Sequence, residues 1–320
     1  MNSHGRTVIV TGGNGYIGSH LCRYLSSLGN RVILIDRDIS VKYGTFPREV
    51  QLHRIDLSTS KSVQEVSKLL GEVPKNSIVV HLAAEKSVED SLQDPEYYIS
   101  NNVISTQNVL NSMTEVGLRR LVFASTAAVY APTPDATKVN ETSNLLILNP
   151  YAESKLMSEL DIASTRFGDF NFANLRFFNV AGAASRASVE KNGKNLIPEI
   201  LRASKNNSVF KLFGVDYPTN DGTCVRDFID VRDLVEAITL TFDLLDLRPL
   251  GVLNVGNGVG YSVLEVVRKI QNLDPRLRYE FGDRRVGDHA YVVADSTLAQ
   301  EILGWKSRYS IDAMIESASS

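Results

Sequence analysis

The feature that most constrains this chain is the segment Thr11-Gly12-Gly13-Asn14-Gly15-Tyr16-Ile17-Gly18, set directly after the apolar run Val8-Ile9-Val10. Gly13, Gly15 and Gly18 fit the pattern G-x-G-x-x-G, and Gly12, Gly15 and Gly18 fit G-x-x-G-x-x-G. A strand, a glycine turn and a helix start in that order let the backbone approach a pyrophosphate, with free N–H groups at the helix N-terminus facing the anion. The next apolar run closes on Leu34-Ile35-Asp36, eighteen residues beyond Gly18. An acid at that distance accepts a hydrogen bond from a ribose 2′-hydroxyl and favours NAD over NADP. Arg37 follows at once. It can receive a 2′-phosphate, so the residue types leave both dinucleotides open here.

The chain beyond this loop keeps alternating short apolar runs with helical patterns. Strands are predicted at Thr7–Thr11, Arg31–Ile35, Val50–Ile55, Ile78–Leu82, Leu121–Ser125 and Asn171–Arg176. Helices are predicted at Tyr16–Ser27, Ser60–Leu70, Asn101–Glu115 and Tyr151–Phe167. Such alternation predicts an α/β chain with a Rossmann-type, doubly wound parallel sheet. After about Val180 the rhythm loosens: Ala181–Lys194 reads as a loop, Asn195–Ala203 as a helix, and Tyr217–Gly222 as a turn-rich bend. Two β-α pairs follow, Val252–Val255 with Ser262–Gln271 and Leu277–Phe281 with Ser296–Leu303. The expected division is a nucleotide-binding Rossmann domain at 1–180, with a return segment near 227–256, and a smaller C-terminal α/β lobe at 181–320 that mainly takes the substrate.

Composition narrows the partners. With 320 residues and 43% hydrophobic content, the chain has the means to bury a large core. A formal charge of -3 and the absence of a long basic run predict no nucleic-acid partner. Five scattered histidines predict no metal site, and Cys22 and Cys224 stand in no metal or redox spacing. The chain enters Val8-Ile9-Val10 almost at once and has no apolar run of membrane-spanning length, which predicts no signal peptide, no membrane span and a cytoplasmic protein. Cys22 and Cys224 are expected to be structural, and Trp305 to serve C-terminal packing.

Tyr151 and Lys155 stand four apart in Asn149-Pro150-Tyr151-Ala152-Glu153-Ser154-Lys155. On a helix they share a face. A free phenol has a pKa of about 10 and is a poor base at neutral pH. A nearby cation is expected to lower it. Upstream, Thr126 ends the predicted strand Leu121–Ser125, and its hydroxyl is placed to relay a proton. A nucleotide cradle, a phenol, a cation and a hydroxyl together are the equipment for moving a hydride between a nicotinamide and an alcohol. A competing class is a non-catalytic dinucleotide-binding sensor; such proteins commonly lose the Tyr or Lys that this chain keeps.

At this point the sequence resembles the extended short-chain dehydrogenase/reductases and, more closely, the UDP-glucose (UDP-galactose) 4-epimerases. The resemblance rests on His81-Leu82-Ala83-Ala84-Glu85-Lys86, Tyr97-Tyr98 with Asn101-Asn102-Val103, Ser125-Thr126-Ala127-Ala128-Val129-Tyr130 and Arg176-Phe177-Phe178-Asn179-Val180-Ala181-Gly182-Ala183. It continues through Asn195-Leu196-Ile197-Pro198, Asp216-Tyr217-Pro218-Thr219, Asp221-Gly222-Thr223, Val225-Arg226-Asp227-Phe228-Ile229, Asn254-Val255-Gly256 and Arg284-Arg285-Val286-Gly287-Asp288. It implies that Tyr151 is the acid and base, Lys155 its cationic partner and Thr126 the relay. It implies NAD contacts from Gly12, Gly15, Tyr16, Ile17, Gly18, Asp36, Asp56, Leu57, Leu82, Ala83, Ala84, Lys86, Asn101, Ser125, Tyr151, Lys155 and Phe178. It implies that a UDP-sugar is held by Lys86, Thr126, Tyr151, Asn179, Asn195, Leu196, Phe213, Arg226, Arg285, Asp288 and Val292, and that the chain forms a homodimer.

Within that resemblance, related 4,6-dehydratases carry an acid directly after the catalytic Thr, and UDP-glucuronate decarboxylases carry a Glu two places on. Here those positions are Ala127 and Ala128, which implies C4 epimerisation through a transient 4-keto sugar. Ala131 replaces a usual glycine, and Ala181–Lys194 lacks a common acidic and histidine stretch. The pocket-gating position falls on Val292, beside Tyr291. A small gate implies acceptance of UDP-GlcNAc and UDP-GalNAc as well as UDP-glucose and UDP-galactose. UDP-pentoses and a dehydratase reaction are the alternative substrates and chemistry.

Overall fold

The computed structural model describes residues 5–133, 136–190, 195–285 and 288–319. The chain folds as two compact units. The first runs through Val129 and adds Ile147–Arg176 and Val235–Leu253; the second takes Tyr130–Leu146, Phe177–Leu234 and the chain from Asn254 on.

The first unit opens with β1 (Thr7–Thr11), α1 (Tyr16–Ser27), β2 (Arg31–Asp36), β3 (Gln51–Arg54), α2 (Ser62–Gly71) and β4 (Ile78–His81). It continues with α3 (Val88–Gln93), α4 (Pro95–Val116), β5 (Arg120–Thr126), α5 (Pro150–Ser164) and β6 (Asn171–Phe177). The second unit follows with β7 (Asn179–Ala181), α6 (Leu196–Lys205), β8 (Val209–Phe213) and β9 (Val225–Asp230). α7 (Val231–Leu244) and β10 (Gly251–Val255) belong mostly to the first unit, and the second resumes with β11 (Gly260–Ser262), α8 (Val263–Leu273), β12 (Arg278–Gly282), β13 (Tyr291–Val292), α9 (Thr297–Leu303) and α10 (Ile311–Ser319).

The central sheet has the order β10-β6-β5-β4-β1-β2-β3. The pairings from β3 through β2, β1 and β4 to β5 are parallel. This is the expected doubly wound sheet, with β1 at the point where the strand order reverses. The inner strands β1, β2 and β4 are buried on both faces and so read as continuous apolar runs rather than alternating ones. One core gathers Ile9, Ile33, Ile35, Val79, Leu121 and Phe123 from the sheet with Val66, Leu70, Val109, Leu110, Met113 and Ile162 from α2, α4 and α5.

Two helices differ from the sequence expectation by more than two residues at an end. α4 starts six residues early, because Asp94 caps it by accepting from the Tyr97 N–H at 3.2 Å and Pro95 sits at its first position. α5 stops at Ser164, since Thr165 is extended and Gly168 adopts a φ of +48°. α3, α7 and α10 and the strands β7, β8, β9, β11 and β13 were not expected. β9 was hidden by its own charges: Asp227 and Asp230 are fully buried within it. Asp227 accepts from the backbone N–H groups of Asn257, Gly258 and Ala294 at 2.8, 2.8 and 3.1 Å, so a carboxylate stands where periodicity looks for an apolar side chain.

In the second unit β9 pairs with β7 and β13 in parallel and with β11 antiparallel, while β8 and β12 form a separate ladder. Its core joins Ile197, Ile200, Leu212, Phe228, Leu264, Ile270, Met314 and Ile315. Cys22 and Cys224 are buried free thiols. Trp305 is buried and donates its indole N–H to the Asp233 carbonyl at 3.1 Å, holding the C-terminal segment in the second unit. Among the described residues no helix is long and apolar enough to cross a membrane.

Candidate active site

Gly12, Gly15, Tyr16, Ile17 and Gly18 lie together where β1 hands over to α1. Gly12 has a φ of +66°, and a Cβ there would lie 2.6 Å from the backbone nitrogen of Ala83. A Cβ on Gly18 would lie 2.2 Å from the Gly12 carbonyl oxygen. The turn therefore closes only with glycine at these points, and it rests against the loop Leu82-Ala83-Ala84 that follows β4. α1 begins at Gly15 with no side-chain cap and no acid in its first turn, so its N-terminal N–H groups carry a positive end into the cradle. Asp36, at the end of β2, accepts from the Asn14 and Asp38 backbone N–H groups, each at 3.0 Å. A carboxylate has further lone pairs for a ribose hydroxyl. The cradle, the bare helix end and the acid fit a dinucleotide.

Asp56 is exposed and accepts from the Ser58 N–H and hydroxyl at 3.0 and 2.7 Å. The Leu57 side chain belongs to the core, and its carbonyl accepts from Ser62 at 3.0 Å and Asn108 at 2.8 Å. Lys86 is exposed, and Asn101 donates to the neighbouring Asn102 at 3.3 Å.

The hydroxyl and amine groups come together at the end of β5. Asn149 caps α5 by accepting from the Ala152 N–H at 2.8 Å, and Pro150 occupies the first turn, so Tyr151 enters the helix in its opening turn. The Tyr151 hydroxyl is hydrogen-bonded to Thr126. One turn on, the Lys155 ammonium is buried; it donates to the Ala124 carbonyl at 2.8 Å and lies 4.8 Å from the centre of the Phe123 ring.

The expected lowering of the phenol by Lys155 is not found in the chain by itself. Burial pushes Tyr151 up to about 12, with the Thr126 hydrogen bond opposing and Tyr98 adding to the rise. Burial likewise pulls Lys155 down to about 7, against the pull of Glu159. Both shifts have one cause: a site with little water favours the neutral form of each group.

A pH signature follows from Lys155. In the unfolded chain a lysine titrates at about 10.4. Between about 7 and that value the unfolded chain holds the extra proton. The cost of burying the ammonium is thus complete below about pH 7 and fades as pH rises. Relative to the parent, Lys155→Met is expected to be more stable at about pH 6 than at about pH 9. Denaturant unfolding at both values checks this, and a relative stability that rises with pH would contradict it.

Sequence reading missed the groups that hold this constellation. Glu159 continues the Tyr151–Lys155 face by one more turn. It is buried, accepts from Arg176 of β6 at 2.9 and 2.7 Å, and receives the Ser125 hydroxyl. His81, the last residue of β4, is buried with Nδ1 at 2.7 Å from the Thr11 hydroxyl and Nε2 at 3.1 Å from that of Thr106. Burial takes it down to about 3, so it sits neutral, pinning β1, β4 and α4. Asn102 donates to the Glu85 carbonyl at 3.1 Å and to the Ser154 hydroxyl at 2.9 Å, tying the β4 loop to α5. The readable signal for Glu159 was its spacing after Lys155. His81 and Asn102 stood within segments that carry the family resemblance, but nothing in their spacing marked these roles ahead of the fold.

In the second unit Arg226 donates to the His289 carbonyl at 2.6 Å and to Asp288 at 3.3 Å, and Val292 pairs opposite it across β9 and β13. The Arg285 guanidinium lies 4.1 Å from the centre of the Phe213 ring. Asn195 precedes α6 and donates to Glu190 at 2.6 Å; Leu196 is the first residue of that helix. Phe178 is buried beside Gly256, and Asn179 is exposed in β7. Val286 and Gly287, within the matched segment, and Lys191–Lys194 of the predicted loop lie outside the described residues.

The family model that matches residues 8–256 is the NAD dependent epimerase/dehydratase family. This chain belongs to that family. The UDP-glucose 4-epimerase of Lactobacillus helveticus is 36% identical over 97% of this chain and 95% of its own length. Among solved structures, a UDP-glucose 4-epimerase from Stenotrophomonas maltophila with bound NAD and formylated UDP-arabinopyranose matches with a TM-score of 0.88 and 33% identity, over 98% of this chain and 97% of that one. The UDP-Glc/GlcNAc 4-epimerase of Campylobacter jejuni matches with a TM-score of 0.81 and 32% identity, over 98% of each chain. Within the epimerase/dehydratase family, the α/β fold with its parallel central sheet is shared at this level of similarity.

Proposed function

We propose that this chain is an NAD-dependent epimerase that interconverts UDP-glucose and UDP-galactose at C4. The observation that carries this reading is the Tyr151–Thr126 hydroxyl pair above a buried Lys155, followed by a turn of Ala127–Val129 that places no carboxylate beside Thr126. Named UDP-glucose 4-epimerases along the full chain support it.

Tyr151 takes the proton of the C4 hydroxyl, with Thr126 relaying it, and returns it on the reverse step. NAD, held by the glycine cradle and Asp36, would supply the hydride acceptor and donor, and its positive charge would favour the phenolate that burial opposes. Lys155 supplies positive charge next to the phenol. With no acid at Ala127 or Ala128, elimination and decarboxylation lack their general acid or base, and return of hydride to the opposite face is what remains. Arg226 and Arg285 suit the diphosphate, Phe213 offers an apolar face, and Asp288 suits a ribose hydroxyl. Firm hold on UDP with loose hold on the sugar spends binding energy on retention while the ketose turns over. In this reading the first unit binds the dinucleotide and the second mainly the UDP-sugar.

Homodimerisation is supported by Ile104, Met157 and Leu160, exposed on α4 and α5, the last by 61%. Sedimentation at micromolar protein tests it. The two free thiols suit a cytoplasmic setting.

The function is tested by NMR of the purified protein with UDP-galactose, and separately with UDP-GalNAc, without added reductant. Formation of the C4 epimer with no net NADH is the expected result. The ratio of the two rates reads whether Val292 admits the N-acetyl group. No conversion of either sugar by protein that carries NAD would overturn the hexose reading.

A further inference from the structure

Arg37 left the choice between NAD and NADP open in the sequence. Its surroundings close that choice. The guanidinium forms an ion pair with Glu85 and donates to the Tyr97 hydroxyl at 3.3 Å, while that hydroxyl donates to Glu85 at 3.0 Å. The three side chains form a closed triangle. Arg37 follows β2 and Glu85 follows β4, and the sheet order sets β1 between those strands. The pair therefore joins the two loops flanking the start of the glycine cradle.

Glu85 is held from behind. Its backbone N–H donates to Asn102 at 2.8 Å, and its carbonyl accepts from the same side chain. Two neighbouring cations are also engaged. Arg54 donates to the Arg37 carbonyl at 3.1 Å, and Lys42 pairs with Asp38 at 2.8 Å. Asp36, adjacent to Arg37, keeps its carboxylate on the Asn14 and Asp38 N–H groups.

We propose that Glu85 and Tyr97 are cofactor-specificity residues: by engaging Arg37 they withhold from a 2′-phosphate the cation beside Asp36, and so hold the chain to NAD. This rests on the dinucleotide reading above. A 2′-phosphate has to recruit Arg37 away from Glu85 while enduring the charge of both carboxylates. A 2′-hydroxyl asks only for Asp36. The Arg37 side chain is 52% exposed, so the ion pair is a modest one and the discrimination it adds is correspondingly limited.

The test is competitive loading. The full chain is equilibrated with equal NAD⁺ and NADP⁺, freed of unbound nucleotide and denatured, and the released dinucleotides are quantified by chromatography. The parent is expected to release NAD⁺ in large excess. Glu85→Gln should raise the NADP⁺:NAD⁺ ratio by about fivefold to tenfold, the size of a modest charge interaction. Tyr97→Phe should raise it by less. The double variant Arg37→Ala/Glu85→Gln should return to the parental ratio, because the gain depends on a released Arg37. A change under about twofold in Glu85→Gln, or an equal rise in the double variant, overturns the proposal with the dinucleotide reading intact. Release of neither dinucleotide from the parent overturns both.

Discussion

Tyr151→Phe is expected to lower turnover by roughly 10²–10⁴-fold, the range of a positioned general acid and base. The substitution deletes one oxygen from a partly buried ring and leaves the helix start at Asn149-Pro150 untouched. Dinucleotide loading should change little, because the glycine cradle, Asp36 and Lys155 remain, and the loss should fall on kcat with KM little altered, because the phenol acts on the reacting hydroxyl rather than on UDP. Steady-state kinetics with UDP-galactose, alongside the nucleotide content of the variant, checks both halves. A loss of less than about tenfold would remove Tyr151 from the chemistry.

Glu159→Leu is expected to destabilise the fold by about 3–5 kcal/mol. The Glu159–Arg176 pair is nearly inaccessible, with side-chain exposures of 5% and 4%. Removing the carboxylate takes from the buried Arg176 guanidinium its hydrogen bonds at 2.9 and 2.7 Å and takes away the acceptor of the Ser125 hydroxyl. Replacing both partners, Glu159→Leu with Arg176→Met, should recover much of the loss, since the buried guanidinium that lost this carboxylate is then removed with it. Denaturant unfolding of the single and double variants measures this. A single variant as stable as the parent would show that the pair is dispensable. The carboxylate also favours the Lys155 ammonium. Its removal therefore lowers that amine further and weakens the positive charge beside the phenol.

How much was legible beforehand follows from the range of each interaction. The glycine cradle, the parallel sheet and the shared face of Tyr151 and Lys155 are encoded over a few residues, by missing Cβ atoms, continuous apolar runs and helical spacing. The start of α4 was encoded just as locally, in Asp94-Pro95, yet Tyr97 to Ser100 lack apolar periodicity and masked it. β9 escaped notice for a different reason. Asp227 is acceptable in a buried strand only because three N–H groups from Asn257, Gly258 and Ala294 reach it, and those partners lie far along the chain.

By itself, the sequence determined that the chain builds a dinucleotide cradle, ends β5 with a hydroxyl and begins the next helix with a phenol and an amine on one face. These are properties of spacing and residue type, set by covalent geometry and backbone sterics. Only the tertiary structure decided the protonation behaviour and the partners. Burial drives Tyr151 up and Lys155 down, where local reasoning expected a lowered phenol. Glu85 and Tyr97, distant in the chain, claim an arginine that the sequence left uncommitted. Desolvation and long-range pairing depend on which groups from other segments come within a few ångströms, and that is settled when the strands and helices pack.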